Sequence, residues 1–372
     1  MKILSIVSGT STDGLSMALF DISGQGINTD FSTIASMNFE YPQEMRENLL
    51  KIASGKLIDM EFISEVHWEL GRFIDRCASE LGDGFDLVSY SGHTVFHGPS
   101  TSNFKGGTFQ IGEISLLAAR TGATAIYDYR ATDIAFGGLG APLTAVSDYL
   151  ILHDPGTLCV NIGGIGNITY IGNNSFLAFD TGPGNMLIDL AAMKFWEENY
   201  DRNGEHAARG IVNQELLSHM LKDKYLQIPP PKNSGREYYN ENYLDGLLER
   251  FRGISQNDFI RTITRFTSSS IYDQINRFTT GPVKRIIVGG GGSLNPVIME
   301  DLEKAFGKRI MRFSEIGIDD LVRECLGFAV LANQTIHMAP GRITDFQNLT
   351  GNVLGKIMPG KNFRQLIETK ND

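Results

Sequence analysis

The chain has 372 residues, of which 42% are hydrophobic and 20% are charged, and its formal net charge at pH 7 is −10. This length predicts about two domains, because a domain usually holds roughly 100–200 residues, and the composition is that of an ordinary globular protein. The negative charge argues against nucleic acid or an anionic membrane as a partner, since both require a basic surface.

The first half predicts an antiparallel three-stranded meander followed by helices and further strands. Apolar runs predict strands at residues 2–8, 16–22 and 28–39, and a small polar turn (residues 9–14) joins the first two. Apolar residues at helical spacing predict a helix over residues 59–81. Further strands are expected at residues 86–90, 108–111 and 123–127, with a helix near 114–120 and a candidate domain connector after Pro142.

The second half repeats this opening pattern. Strands are predicted at residues 157–162, 167–171 and 176–180, with a glycine turn between the first two. Later predicted elements are helices at 214–222, 257–278 and 319–336, a strand at 284–288 and a helix from Pro296. Two meanders with matching turns indicate an internal duplication. The expected domains are residues 1–128 with the tail from about 350 to 372, and residues 129–349.

Glycine-rich turns at matching places in both halves predict a binding site for nucleotide phosphates. Small residues let several backbone amides point at one phosphate. The predicted ATP-binding residues are Gly9, Thr10, Ser11, Thr12, Asp13 and Gly14 in the first turn and Gly163, Gly164, Gly166 and Asn167 in the second. Asp13 is suited to orient a hydrated Mg²⁺ ion. Either turn taken alone is more simply an ordinary tight hairpin.

A third glycine run follows the strand at residues 284–288 and precedes a helix. Its members, all predicted to contact ATP, are Gly289, Gly290, Gly291 and Gly292. Without side chains they would let a base or ribose lie against the backbone, and the helix N-terminus adds a favourable dipole. A closely packed strand-to-helix turn is an equally good interpretation.

Asp180 ends an apolar strand and leads into the turn TGPGN (residues 181–185). An acid at a strand end beside backbone donors suits a general base that deprotonates a hydroxyl or a water. The alternative is an N-cap of the next helix. Because a glycine-rich segment separates Asp180 from that helix, the catalytic interpretation is favoured.

Three further residues are candidate substrate ligands. His93 and His97 lie four residues apart in a strand-and-loop segment with no third ligand nearby, so substrate contact or a structural role is favoured over zinc. Arg130 and Asp133 lie in a predicted loop, where they could bind hydroxyls or a carboxylate, or form a structural ion pair.

Together, these segments resemble the anhydro-N-acetylmuramic acid kinase family. The motifs that carry the resemblance, spread in the family's order over nearly the whole chain, are GTSTDG (9–14), TFQIGE (108–113), DYRATD (128–133), GGLGAPL (137–143), NIGGIGNIT (161–169), AFDTGPGN (178–185), PPKNSGREYYN (230–240) and GGGGSLNP (289–296). The resemblance implies an α/β fold of the actin/hexokinase-like (ribonuclease H-like) type, duplicated, with a nucleotide cleft between its halves.

The resemblance also implies an ATP- and Mg²⁺-dependent sugar kinase. In that family water opens a 1,6-anhydro bond at the anomeric carbon, and the freed O6 accepts the γ-phosphate. Asp180 would activate the water, and Glu324 would help to hold the sugar. A homodimer and a role in peptidoglycan recycling are implied in the same way.

The sequence departs from the family in its sugar-site motifs. The usual HGQT is Ser91-Gly92-His93-Thr94 here, and Ser16 and Leu139 replace an aspartate and a glutamine. Two alternatives therefore remain: a kinase for a different sugar, and a nucleotide-binding relative without turnover.

The expected compartment is the cytoplasm. The three cysteines, Cys77, Cys159 and Cys325, form no CxxC pair, as is usual where thiols stay reduced. No apolar run is long enough for a signal peptide or a membrane span.

Overall fold

The computed structural model describes residues 1–9, 12–54, 57–98, 106–173, 176–235, 238–320, 322–345 and 348–368. The chain divides into two compact units, the first made of Met1–Leu152 and Glu324–Asp372 and the second of His153–Arg323. Among the described residues, no helix is both long and apolar enough to span a membrane.

Strands and helices alternate along the chain. The strands are β1 (Lys2–Ser8), β2 (Gly14–Ser23), β3 (Asp30–Glu40), β4 (Leu87–Tyr90), β5 (His93–Gly98), β6 (Gly107–Ile111), β7 (Thr124–Tyr127), β8 (Thr157–Ile162), β9 (Ile165–Ile171), β10 (Phe176–Pro183), β11 (Arg285–Gly289), β12 (Met311–Arg312), β13 (Arg342–Asp345), β14 (Thr350–Asn352) and β15 (Lys356–Met358). The helices are α1 (Gln43–Ala53), α2 (Met60–Glu80), α3 (Ser115–Thr121), α4 (Tyr129–Ala135), α5 (Ala145–Ile151), α6 (Met186–Trp196), α7 (Glu205–Arg209), α8 (Gln214–Met220), α9 (Lys224–Gln227), α10 (Glu241–Arg250), α11 (Gln256–Phe278), α12 (Pro296–Phe306), α13 (Arg323–Ile336) and α14 (Phe363–Glu368).

The first unit is built on a six-stranded sheet in the order β15-β7-β4-β1-β2-β3. Strands β1, β2 and β3 form the predicted antiparallel meander, while β4 pairs parallel with β1 and β7 parallel with β4. The core between this sheet and its helices includes Leu4 and Ile6 of β1 and Leu70 and Ile74 of α2. Every residue of β1 after Lys2 is buried, which fits a strand covered on both faces.

The second unit repeats this arrangement in a five-stranded sheet of order β10-β9-β8-β11-β12. Strands β8, β9 and β10 form an antiparallel meander, β11 pairs parallel with β8, and β12 pairs parallel with β11. β10 is therefore an edge strand. The long helix α11 packs its apolar face, including Ile263, Phe266 and Ile271, into this unit's core.

The predicted fold class is confirmed. The order β3-β2-β1-β4-β7 in the first sheet matches β10-β9-β8-β11-β12 in the second, with the same parallel and antiparallel pairings. The α/β fold is thus duplicated in the manner expected for an actin/hexokinase-like chain. A nucleotide cleft between the halves stays a prediction.

The unit boundaries differ from the predicted domain boundaries. Residues 129–152, predicted for the second domain, lie in the first unit, where the Tyr129 hydroxyl is 2.7 Å from Ser89 Oγ. Most of α13 also belongs there, and Cys325 Sγ donates to the Ser16 carbonyl of β2 at 3.3 Å. Long-range packing, which sequence spacing does not reveal, accounts for the difference.

Candidate active site

Asp180 lies inside β10, at a distortion of the strand. It pairs with Asn167 of β9, and the register shifts between Asp180 and Gly182. Gly182 has a φ of 140°, a conformation that favours glycine. The strand continues to Pro183, three residues beyond its predicted end, because Gly182 and Pro183 still pair with β9. Such bulges re-aim side chains and often occur beside active sites.

The carboxyl group and the main chain of Asp180 are held from one neighbouring segment and one helix. The Ser234 amide donates to Asp180 Oδ2 at 3.0 Å, and the Asp180 amide donates to the Lys232 carbonyl at 3.2 Å. The Tyr225 hydroxyl donates to the Asp180 carbonyl at 2.8 Å. With Asp180 only 8% exposed, its position is tightly defined.

Asp180 does not cap the next helix. α6 begins at Met186, and its N-cap residue is Asn185, five residues after Asp180. The capping alternative is therefore excluded by the geometry. The role of Asp180 as a base stays a prediction.

The second glycine turn is joined directly to the turn that follows Asp180. The Gly163 carbonyl accepts from the Asn185 amide at 2.8 Å, and the Gly164 carbonyl accepts from the amides of Gly184 at 2.9 Å and Met186 at 3.1 Å. These bonds place the predicted phosphate loop against the start of α6. Gly166 and Asn167 lie in β9 just beyond the turn.

The third glycine run packs closely against the end of β8. A Cβ atom on Gly290 would lie 2.7 Å from the Ile162 carbonyl oxygen, and one on Gly292 would lie 2.3 Å from Ile162 Cγ2. Gly291 approaches the Asn185 side chain, with 3.5 Å between a Cβ and Nδ2. Close packing thus explains these glycines by itself. It also brings three glycine-rich segments to one end of the second sheet, where nucleotide binding stays a prediction.

The first glycine turn is described in part, because Thr10 and Ser11 lie outside the described residues. The Thr12 amide donates to the Gly9 carbonyl at 3.2 Å, and Thr12 has a φ of 59°. Gly14 begins β2 so close to β3 that a Cβ would lie 2.1 Å from the Phe39 carbonyl oxygen. Asp13 is exposed between them.

His93 belongs to a buried network beside the first turn. It is 1% exposed, and its Nδ1 lies 2.7 Å from Ser8 Oγ, which in turn lies 2.6 Å from the Tyr41 hydroxyl. Burial raises the pKa of Tyr41. These contacts fit the structural alternative for His93, and its contact with substrate stays a prediction.

Arg130 and Asp133 lie on a helix, α4, and not in the predicted loop. The Arg130 guanidinium donates to the Gly140 carbonyl at 2.7 Å, and Asp133 Oδ2 accepts from the Gly140 amide at 2.8 Å. The two side chains thus bind the amide and the carbonyl of one residue, Gly140, in the loop at residues 137–140. Asp133 Oδ1 also lies 3.5 Å from Arg342 Nε.

His97, the second histidine of the pair with His93, lies beside this loop, and its contact with substrate stays a prediction. Burial lowers its pKa, and the positive charge of Arg130 lowers it further. Glu324 is exposed in the first turn of α13, and its contact with a sugar stays a prediction.

Comparison with known proteins supplies the deciding observation. The profile of a family described as anhydro-N-acetylmuramic acid kinase matches residues 1–360. The chain belongs to this kinase family. A relative of that name from Caldanaerobacter subterraneus subsp. tengcongensis is 32% identical over 383 residues, covering 95% of this chain and 96% of the relative. Another from Crocosphaera subtropica is 34% identical over 350 residues, covering 89% and 91%.

Similarity to solved structures is weaker. The (R)-2-hydroxyglutaryl-CoA dehydratase component A of Acidaminococcus fermentans has a TM-score of 0.46 and 14% identity, covering 90% of this chain and 98% of that chain. Nothing about function follows from this value. The family assignment rests on the sequence matches, and the anhydro-N-acetylmuramic acid kinase family is a family of sugar kinases.

Lys232 belongs to the motif PPKNSGREYYN (230–240), and no role for it is predicted from the sequence. It is 5% exposed, and its Nζ donates to Gln274 Oε1 at 2.6 Å and to the Tyr225 carbonyl at 3.1 Å. Burial lowers its pKa to about 8. Its position in a family motif is a signal of importance, but the hydrogen bond from the Asp180 amide to the Lys232 carbonyl forms only in the folded chain.

Proposed function

We propose that the chain is an ATP- and Mg²⁺-dependent kinase that opens a 1,6-anhydro-N-acetylmuramic acid by hydrolysis and phosphorylates O6. The observation that carries this proposal is the held carboxylate of Asp180, with Ser234 donating to Oδ2 at 3.0 Å, in a chain that belongs to the kinase family. Asp180 takes a proton from the attacking water. The water oxygen bonds to the anomeric carbon, the bond from that carbon to O6 breaks, and O6 takes the γ-phosphoryl group while ADP leaves.

The two glycine turns and the third glycine run are proposed to hold ATP through backbone amides. The turn carbonyls of Gly163 and Gly164 accept from amides at the start of α6, so the turn is rigid before nucleotide arrives. A rigid donor set stabilises developing charge without reorganisation. Thr10, Ser11 and the other turn residues of the first half are proposed to contact the same nucleotide.

Asp13 is proposed to orient Mg²⁺ through the ion's water shell. Among the described residues, no group of three or more His, Cys, Asp or Glu side chains could hold a metal ion. One exposed carboxylate fits Mg²⁺, which keeps several waters and commonly binds one or two protein carboxylates together with phosphates. When bound, the ion neutralises charge on the transferring phosphoryl group.

His93, Arg130, Asp133 and Glu324 are proposed to line the sugar site. We further propose a cytoplasmic homodimer active in peptidoglycan recycling. Sedimentation equilibrium tests the dimer, and a monomer at micromolar concentration would contradict it.

Replacement of Asp180 tests the reaction. A carboxamide cannot accept the proton, so Asp180→Asn should lower kcat about 10²–10⁴-fold, the usual contribution of a general base, while nucleotide binding persists. Phosphorus NMR of sugar phosphates and calorimetric titration of ATP measure the two quantities. The matched control is Asp245→Asn, an exposed carboxylate of α10 paired with Lys194, which should leave kcat unchanged.

The departures at Ser91, His93 and Leu139 make the substrate a separate question. The same phosphorus NMR assay is run with a panel of anhydro-sugars and free sugars. Product from anhydro-sugars alone supports the proposal, whereas product from free sugars assigns a different kinase substrate. Nucleotide binding without any sugar phosphate would identify a relative that has lost turnover.

A further inference from the structure

A buried lysine lies directly behind the Asp180 strand. The Lys232 ammonium is surrounded by three aromatic rings, at 4.5 Å from the ring centre of Tyr225 and 5.7 Å from those of Phe179 and Phe278. Its hydrogen bonds to Gln274 and to the Tyr225 carbonyl replace part of its lost hydration. A buried charge is costly unless such partners are present, so this ammonium is held at one defined point.

The main chain of residues 232–234 forms two hydrogen bonds with Asp180. The Lys232 carbonyl accepts from the Asp180 amide at 3.2 Å, and two residues later the Ser234 amide donates to Asp180 Oδ2 at 3.0 Å. Tyr225, which accepts from Lys232 through its carbonyl, donates its hydroxyl to the Asp180 carbonyl. Lys232 is thus connected to Asp180 in two ways, through the main chain of residues 232–234 and through the hydrogen bonds of Tyr225.

Charges around the ammonium also connect it with Asp180. Burial has the largest effect and lowers the pKa of Lys232, and Arg277 lowers it further, whereas Asp273, Asp180 and Asp223 raise it. Because Coulomb interactions are reciprocal, the ammonium favours the charged form of the Asp180 carboxyl, which is the form required of a base.

We propose that Lys232 is a positioning residue for the reaction at Asp180. Its anchored ammonium fixes the segment at residues 232–234, and the main chain of that segment fixes the Asp180 carboxylate. Lys232 itself has no contact with Asp180 Oδ2; the Ser234 amide makes that contact. The inference rests on the proposed function of Asp180 as the base.

Lys232→Met tests the proposal, because methionine fills similar volume without the charge. We expect kcat to fall about 10–100-fold, the loss typical of a misplaced reacting group, with the KM for ATP unchanged. We also expect the acidic limb of the pH profile of kcat/KM to move to higher pH. A purely structural role would lower activity without moving this limb.

Three further variants serve as the charge-conserving variant, the matched control and the alternative test. Lys232→Arg keeps the charge and should return the acidic limb towards its wild-type position. Lys222→Met makes the same change at an exposed lysine and should alter neither kcat nor the pH profile. Should Lys232→Met fail to fold, Gln274→Met removes a hydrogen-bond acceptor of the ammonium and should lower kcat in the same direction.

A crystal structure of Lys232→Met gives a readout that needs no turnover. We expect residues 232–234 to shift and the Ser234–Asp180 hydrogen bond to be lost. An unchanged hydrogen bond together with wild-type kcat would overturn the positioning role. Absence of sugar phosphate with the wild-type protein would instead overturn the proposed function, while the crystallographic comparison would still decide the role of Lys232.

Discussion

Gly184 shows how little space the turn after Asp180 leaves for a side chain. A Cβ atom at this position would lie 2.2 Å from the Gly163 carbonyl oxygen and 3.1 Å from the Ile165 carbonyl carbon. Both are backbone atoms, so relief requires one of the two turns to move. The Thr267 hydroxyl, which donates to the Gly184 carbonyl at 2.8 Å, would be displaced as well.

Gly184→Ala should therefore separate the two turns and reduce both activity and stability. We expect kcat to fall about 100-fold, as misplacement by about 1 Å can do, and the free energy of unfolding to fall by about 1–3 kcal/mol, as for overpacked sites. Enzyme assays and urea unfolding measure these quantities. Gly246→Ala in α10 is the matched control, because a Cβ atom at Gly246 would have no neighbour within 4 Å. This substitution should stabilise the helix slightly. Wild-type kcat for Gly184→Ala would show that the turns move apart without consequence.

Among individual residues, Asp180 could be identified from the sequence, but the residues that contact it could not. Asp180 was recognisable because an acid at the end of an apolar strand before a glycine-rich turn is a local pattern. Lys232 and Tyr225 are local to neither β10 nor the turn. The contacts of Arg130 and Asp133 with Gly140 likewise depend on a loop folding back onto α4, which no spacing rule describes.

Among the elements, α11 and α12 are joined by a buried carboxylate. Asp301 of α12 is 2% exposed; it accepts two hydrogen bonds from Arg261, at 2.8 and 2.9 Å, and one from Arg265 at 2.9 Å. Since α12 follows the third glycine run, this junction helps to fix the run against β8. Bidentate pairing of this kind adds geometric specificity to the attraction.

Asp301→Asn should weaken that junction. We expect the free energy of unfolding to fall by about 1–3 kcal/mol, because hydrogen-bonding groups lose their charged acceptor in a buried place. Chemical denaturation measures the change. Glu300→Gln removes an exposed carboxylate that pairs with Lys304 on the same helix and should change stability by only about 0–0.5 kcal/mol. Equal effects of the two substitutions would contradict the importance of burial.

The long helices were predictable from the sequence, and α4 was not. α2 and α11 show apolar residues at helical spacing over several turns, and capping side chains begin both helices, Asp59 for α2 and Ser255 for α11. α4 has seven residues, YRATDIA, which show no apolar period that would distinguish them from a loop. Its preceding residue, Asp128, has a φ of 57°, a left-handed conformation that no pattern in the sequence indicates.

For the whole molecule, the two antiparallel meanders were predictable because both have clear apolar runs and matching turns, whereas the order of the parallel strands was not. The boundaries between the two units could not be predicted from the sequence. The tail pairs β15 antiparallel with β7, and the Lys356 ammonium lies 2.6 Å from Asp128 Oδ2. Such pairings join residues more than 200 positions apart in sequence, and only folding brings them together.

The lowered pKa of Lys232 should make the free energy of unfolding depend on pH in a specific range. Burial first, and then Arg277, lower its pKa from 10.5 to about 8. Between these two values the native lysine has lost its proton while the unfolded one retains it, so the free energy of unfolding gains a contribution as pH rises. Unfolding curves from pH 7.5 to 10.5 should therefore rise in wild type relative to Lys232→Met. Parallel curves would show that the native lysine keeps an ordinary pKa.

The edge position of β10 has a further consequence for the solution behaviour of the protein. An edge strand offers unpaired backbone groups to other chains, and proteins avoid self-association by covering such edges. At Asp180 the backbone amide is already taken by the Lys232 carbonyl. Displacing this segment would uncover the amide on an otherwise apolar strand, so variants that misplace the acid should also aggregate more readily. The position of the Asp180 carboxylate and the resistance of the protein to aggregation would then both depend on the hydrogen bond between the Asp180 amide and the Lys232 carbonyl.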